Sequence, residues 1–190
     1  EKPLAHSVYE ARVMRETSKK TKVATQMGTQ IHASDTYRRV VELVQSGAIG
    51  PVREAHVWVE QGIEGPRSRP EESQPVPPNL HWDLWLGPAP WRPYNPNRVH
   101  RLFRHFWDYS GGFFADFWCH IADLAFWALD LHDAPRYIRA HGARPPTGMT
   151  ETAGWLDAVI DFPGLRLTWT SRTPAFPGAA KRAIGARFVG

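Results

Sequence analysis

Residues 156–170 constrain the fold of this chain more than any other stretch. Leu156, Ala158, Ile160 and Phe162 alternate with Asp157 and Asp161. After Pro163-Gly164 the alternation resumes, with Leu165, Leu167 and Trp169 against Arg166, Thr168 and Thr170. A period of two places each apolar set on one face of an extended strand. Two such runs joined by a Pro-Gly pair predict a β-hairpin with one buried face, so the sheet that holds it is at least partly antiparallel.

The remaining elements follow from local signals. Ser7-Val8-Tyr9-Glu10 has the form of a capping box, in which the Ser hydroxyl and the Glu carboxylate each satisfy an orphan amide, and predicts a helix to about Lys19. Residues 22–27 alternate through Val23, Thr25 and Met27 and end at Gly28, which predicts a short strand. Helix followed by strand is a βα-type fragment. Ser34 or Asp35 caps a second helix, with Tyr37, Val40, Val41 and Val44 on one face and Gly47 as its stop. Residues 52–60 read as a strand and 61–80 as a long loop. Residues 81–110, with four Trp and four Pro, read as irregular but well packed. A helix from Gly111-Gly112 to about Asp130, a strand at 136–141 and a final strand at 186–190 complete the order. The fold class is α/β (α+β): an open, mainly antiparallel sheet with flanking helices.

Composition removes several function classes. The formal charge is +4, yet Lys19, Lys20 and Lys22, the longest basic cluster, fall at a helix end where cations favour the helix dipole. No basic stripe points to nucleic acid as a partner. The single cysteine, Cys119, excludes an intramolecular disulfide and a cysteine-based zinc cage. No apolar run reaches the length of a membrane span. The chain opens at Glu1 without Met, so its natural start is expected to lie upstream.

The helix over 112–130 carries the most chemistry. It is apolar nearly all round, through Phe113, Phe114, Phe117, Trp118, Ile121, Leu124, Phe126, Trp127 and Leu129, and is therefore expected to be buried. Asp116, His120 and Asp123 lie at i, i+4 and i+7 on one face of it. Burying ionisable groups is costly unless they are paired or used. A carboxylate one turn from an imidazole can orient it as a general base. The alternative is a core histidine beside two structural carboxylates, and the residues alone leave both open. A metal reading, with Asp116, His120 and one of His32, His81 or His105, has nothing to fix its third ligand; no metal site is assigned. Gly28 to Gln30, at the end of the predicted strand, lies where open α/β sheets bind ligands.

In combination these residues resemble the Gfo/Idh/MocA oxidoreductases. The resemblance rests on Glu1-Lys2-Pro3-Leu4-Ala5 before a capped helix, on residues 23–28, and on a helix ending in Ser46-Gly47-Ala48-Ile49-Gly50. The stretch Trp82 to Pro90 looks like one bacterial branch of the family. Gly111-Gly112, Asp116, His120 and Asp123 match its second motif in order and spacing. Trp118 departs from the pattern, standing where Gly is frequent, and so does the absence of any G-x-G-x-x-G phosphate loop.

The resemblance implies that residues 1–32 are the remnant of a Rossmann parallel sheet and that 33–190 form the substrate-binding and oligomerisation domain, truncated at its C-terminus. It implies NAD or NADP as cofactor, with Glu1, Lys2, Pro3 and Gln30 on the cofactor side. By similarity, His120 would take a hydroxyl proton, Asp116 would position substrate and imidazole, and Lys2 would hold cofactor and substrate in register. The expected activity is hydride transfer between nicotinamide and a sugar, polyol or glycoside carbon, by a complete protein of which this fragment alone is inactive. An NAD-dependent glycoside hydrolase and a non-catalytic carbohydrate-binding or oligomerisation domain are the alternatives. A homo-oligomer formed through the open sheet is expected. The cytoplasm is the expected compartment, with periplasmic export left open by the missing N-terminus.

Overall fold

A computed structural model describes residues 2–5, 7–60, 72–179 and 183–190. In chain order the elements are α1 (Val8–Thr21), α2 (Asp35–Gln45), β1 (Glu54–Val59), α3 (Trp82–Leu86), two 3-10 segments at Pro96–Arg98 and His100–His105, α4 (Gly112–Ala128), β2 (Tyr137–Ala143), β3 (Trp155–Phe162), β4 (Leu165–Thr170) and β5 (Ile184–Val189).

The hairpin is β3 and β4. Phe162 stands opposite Leu165, so Pro163 and Gly164 are the whole connection. Gly164 adopts φ +76°, a conformation that a side chain disfavours. The sheet has the order β2-β3-β4-β1-β5, and only the β1–β4 pairing is parallel. That one parallel contact needs a long crossover, and α3, the 3-10 segments and α4 all lie within it.

Alternation along the strands sorts the sheet into two faces. Ala55, Val57, Val59, Ala158, Ile160, Phe162, Leu167 and Trp169 are buried together against Ile121 and Ala125 of α4. On α4 a second patch, Leu124 and Ala128, packs against Tyr37 and Val41 of α2. The opposite face of the sheet is polar over much of its area, with Trp58, Trp155 and Val159 as its apolar members. There His56 meets Thr168 at 2.8 Å, Thr170 donates to Asp157 at 2.6 Å, and Arg166 pairs with Asp161 at 2.9 Å.

Three expectations change. Residues 22–27 form no strand and stay exposed, because among the described residues no second strand lies alongside to complete a ladder; alternation satisfies only one requirement of a strand. Helix α4 is not buried all round. Past Gly112, its fully buried residues are the narrow row Ile121, Ala122, Leu124, Ala125 and Ala128, while Phe113, Phe114, Phe117, Trp118, Phe126 and Trp127 are only part-covered, several of them packing against the core. Residues 81–110 hold more order than an irregular reading allowed: α3 packs Trp82 and Leu86 with Tyr94 and Val99 into a separate small core. The long loop expected at 61–80 falls partly on 61–71, outside the described residues.

Helix α1 has the expected capping box, with Ser7 N–H donating to Glu10 Oε2 at 2.9 Å and Glu10 N–H to Ser7 Oγ at 3.2 Å. None of its residues is buried. Among the described residues no helix is long and apolar enough to cross a membrane.

Candidate active site

Gly112 determines where α4 begins. It adopts φ +78°, and a Cβ there would lie 2.9 Å from the Cβ of Thr152. Only glycine lets the chain turn this tightly against the 150–152 segment. The helix then presents Asp116 just past its first turn and His120 one turn further on, on the side that faces residues 2 and 28–31.

Lys2 enters from the far end of the sequence and joins these two residues. Its Nζ lies 2.9 Å from Asp116 Oδ1, 2.8 Å from the Asp116 carbonyl and 2.9 Å from His120 Nε2. An ammonium has three N–H donors and no lone pair, so these three acceptors saturate it. His120 Nε2 must then carry a lone pair, which puts the imidazole proton on Nδ1. That nitrogen faces the carbonyl of Gln30 at 3.3 Å. The network therefore selects a neutral tautomer with its basic nitrogen in the cleft.

Asp116 is held from two sides. Arg104 Nε donates to its Oδ2 at 2.6 Å, opposite the Lys2 contact. Burial is the largest single influence on this carboxyl and opposes ionisation. The hydrogen bonds and charges of Arg104 and Lys2 together outweigh it, and the pKa falls below the usual carboxylate range. Asp116 acts on His120 through the shared Lys2 ammonium, whereas helix spacing alone suggested a direct contact.

Asp123 turns elsewhere. Its Oδ2 lies 2.6 Å from His32 Nδ1, and the His32 ring stacks on Trp127 at 4.4 Å. The segment 30–32 is thus fastened to α4 at two points, Gln30 on His120 and His32 on Asp123. Tyr37 adds a third tie by donating its hydroxyl to the His120 carbonyl at 2.8 Å. Burial, reinforced by the charge of Asp123, pushes the Tyr37 phenol up to about 12, so it remains a donor.

Around the triad lies a cleft of about 360 Å³, bounded by Lys2, Gly28, Gln30, Arg104, Asp116 and His120, with Phe117 and Ile121 as apolar wall. Of the residues singled out from sequence, Lys2, Asp116, His120 and Gln30 meet here. Pro3 is exposed and does not line the cleft, and its peptide bond with Lys2 is cis. Glu1 lies outside the described residues. His81 precedes α3, and the buried His105 packs on Phe113, so neither approaches His120 as a metal partner. Among the described residues no three His, Cys, Asp or Glu gather as a metal site. Arg104 and Tyr37 carried no sequence signal for the site, and His32 was singled out only as one of three candidate metal ligands; Arg104 in particular sits in a 3-10 segment without periodicity.

Comparison with known proteins adds the family. A family model described as "Oxidoreductase family, C-terminal alpha/beta domain", of the Gfo/Idh/MocA group, matches residues 36–144. No curated protein sequence matches the chain. Among solved structures, the fold is similar to the WlbA dehydrogenase from Bordetella pertussis in complex with NADH and UDP-GlcNAcA, with TM-score 0.59 and 16% identity over 93% of this chain and 44% of that one. It is similar to an oxidoreductase from Agrobacterium radiobacter in complex with NAD+, L-tartaric acid and magnesium, with TM-score 0.58, 14% identity, and 93% and 41% coverage. It is also similar to the aldose-aldose oxidoreductase from Caulobacter crescentus complexed with glycerol, with TM-score 0.51, 18% identity, and 89% and 41% coverage. The chain spans less than half the length of each of these three proteins. The match over residues 36–144 covers more than half of the chain, which therefore belongs to the Gfo/Idh/MocA oxidoreductase family and carries its C-terminal alpha/beta domain.

Proposed function

We propose that the protein of which this chain is part is an NAD-dependent dehydrogenase acting on a hydroxyl carbon of a sugar or polyol, with Lys2, Asp116 and His120 as its catalytic residues. One observation carries the reading: a part-buried ammonium lies 2.9 Å from both a carboxylate and an unprotonated imidazole nitrogen, in a cleft that also has apolar wall. The similar proteins support the cofactor and substrate class: two of the complexes contain NADH or NAD+, and the three hold a sugar nucleotide, a hydroxy acid and glycerol.

The residues present fit the nicotinamide end of the cofactor. Beside Lys2 and the Gln30 carbonyl, a Cβ built on Gly28 would meet nothing within 4 Å, which leaves room for a flat ring. No phosphate-cradling glycine loop occurs in this chain, so its contribution is confined to that end and to the substrate. Bound there, nicotinamide would accept the hydride. His120 Nε2 takes the hydroxyl proton as the carbon becomes a carbonyl. Lys2, held by Asp116, keeps a positive charge beside the oxygen as negative charge develops on it. Arg104 and Lys2 keep Asp116 ionised, and Gln30 fixes the imidazole tautomer.

In the same reading residues 1–32 belong to the cofactor domain and 33–190 to the substrate domain, and the polar face of the sheet is where copies of the chain associate. The test is direct. The full-length protein is supplied with NAD and a set of aldoses, polyols and sugar acids, and NADH absorbance is followed for the native protein and for His120→Ala. Cleavage of a glycoside without net NADH would move the assignment to an NAD-dependent hydrolase. No NADH from any substrate and no cleavage would end it.

A further inference from the structure

We infer that Arg104 determines specificity in the cleft and that the substrate it selects is a sugar bearing a carboxylate, a uronic or aldonic acid. This deepens the dehydrogenase reading and rests on it for the claim that substrate occupies this cleft.

Charge is the first ground. Among the residues lining the cleft, Lys2 and Arg104 are cations and Asp116 is the one anion, while His120 is neutral in its bond to Lys2. Two positive charges and one negative leave a net charge of +1. A neutral sugar would leave that charge unmatched in a part-buried cleft, whereas a monoanion balances it.

Donor accounting is the second ground, and it singles out Arg104. The three N–H bonds of Lys2 are all committed, so it greets a ligand only by exchanging partners. Arg104 gives Nε to Asp116, and its Nη1 lies 3.4 Å from the Arg101 carbonyl. Its Nη2 has no hydrogen-bond partner among the described residues. The guanidinium lies over the Phe103 ring at 4.7 Å, which restrains its plane, and its side chain is 25% exposed. A restrained, part-buried guanidinium edge with free N–H groups is suited to a carboxylate. A phosphate would bring nearly two negative charges to a cleft with one to balance.

The placement also suits the chemistry. Lys2 and Arg104 grip the two oxygens of one Asp116 carboxylate. A substrate carboxylate on Arg104 therefore sits one group away from the hydroxyl at Lys2 and His120.

Calorimetric titration of the full-length protein with NAD present tests this, using glucuronate, glucose and glucose 6-phosphate near neutral pH. Glucuronate should bind about tenfold or more tighter than glucose, the scale of one charge-assisted hydrogen bond. Arg104→Leu should remove that preference by weakening glucuronate far more than glucose, and Arg104→Lys should restore part of it. If Arg104→Leu weakens both sugars equally, Arg104 merely holds Asp116 and the inference fails. Preference for glucose or for the phosphate overturns the carboxylate assignment and leaves the dehydrogenase reading standing. No binding of any of the three, with no NADH from any hydroxylated substrate, overturns both.

Discussion

Lys2, Asp116 and His120 each have partners that define their protonation, and two predictions follow at this scale. His120→Ala should lower turnover of the full-length enzyme by about 10²–10⁴-fold, the range for loss of a general base, with its circular dichroism unchanged. A folded variant with near-normal turnover would show that His120 is not the base. The second concerns Asp116, whose pKa is depressed in the fold. A carboxyl of that kind contributes stability above its unfolded pKa, and the contribution disappears as pH falls through the folded value. Between about pH 5 and pH 2 the native protein should therefore lose stability more steeply than Asp116→Asn. Parallel acid limbs in urea titrations of the two proteins would remove the ion-pair account. Asp116 and His120 were legible in the sequence because ionisable groups on so apolar a helix stand out. Their alliance with Lys2 was legible only through resemblance, since 114 and 118 residues of chain separate the lysine from them. Arg104 was illegible: a short 3-10 segment leaves no periodic trace, and Arg is common on surfaces.

At the scale of elements, the hairpin could be read without ambiguity because period two, a Pro-Gly turn and one apolar face all agree. The strand expected at 22–27 had the period but no neighbour, and the same pattern stayed exposed coil. Helix α4 shows how a motif acquires a physical meaning. Gly112 is required by its positive φ and by Thr152 at the position of its missing side chain. Gly112→Ala should cost about 2–5 kcal/mol, summing left-handed strain and overpacking, as read from the urea midpoint. It should also lower activity, because α4 carries Asp116 and His120 from that end. A variant as stable as the parent would mean that Thr152 moves aside freely.

For the whole molecule, one layer of helices covers one face of the sheet, and the second face bears many charged and hydroxyl side chains beside Trp58, Trp155 and Val159. Side chains such as Asp157, Thr170, Arg166 and Asp161 already pair with one another, so a second sheet laid upon them meets satisfied groups rather than bare charges. The full-length protein is expected to be a homo-oligomer through this face. Light scattering should give a multiple of the subunit mass, and charge reversal at Arg166 should reduce it; a monomer at every concentration would refute the association.

The saturated ammonium of Lys2 has a thermodynamic consequence. A hydroxyl arriving at Nζ must evict the imidazole nitrogen or an oxygen of Asp116 before it can be held, so the first polar contact of any substrate is a trade of one hydrogen bond for another. Such a swap releases little heat. Binding enthalpy should then come from elsewhere in the ligand, and ligands that differ only in hydroxyl pattern should be nearly indistinguishable in a calorimeter. The lysine is in this sense a tariff-neutral gate: it admits hydroxyl groups in general and leaves the choice among their bearers to the walls around it.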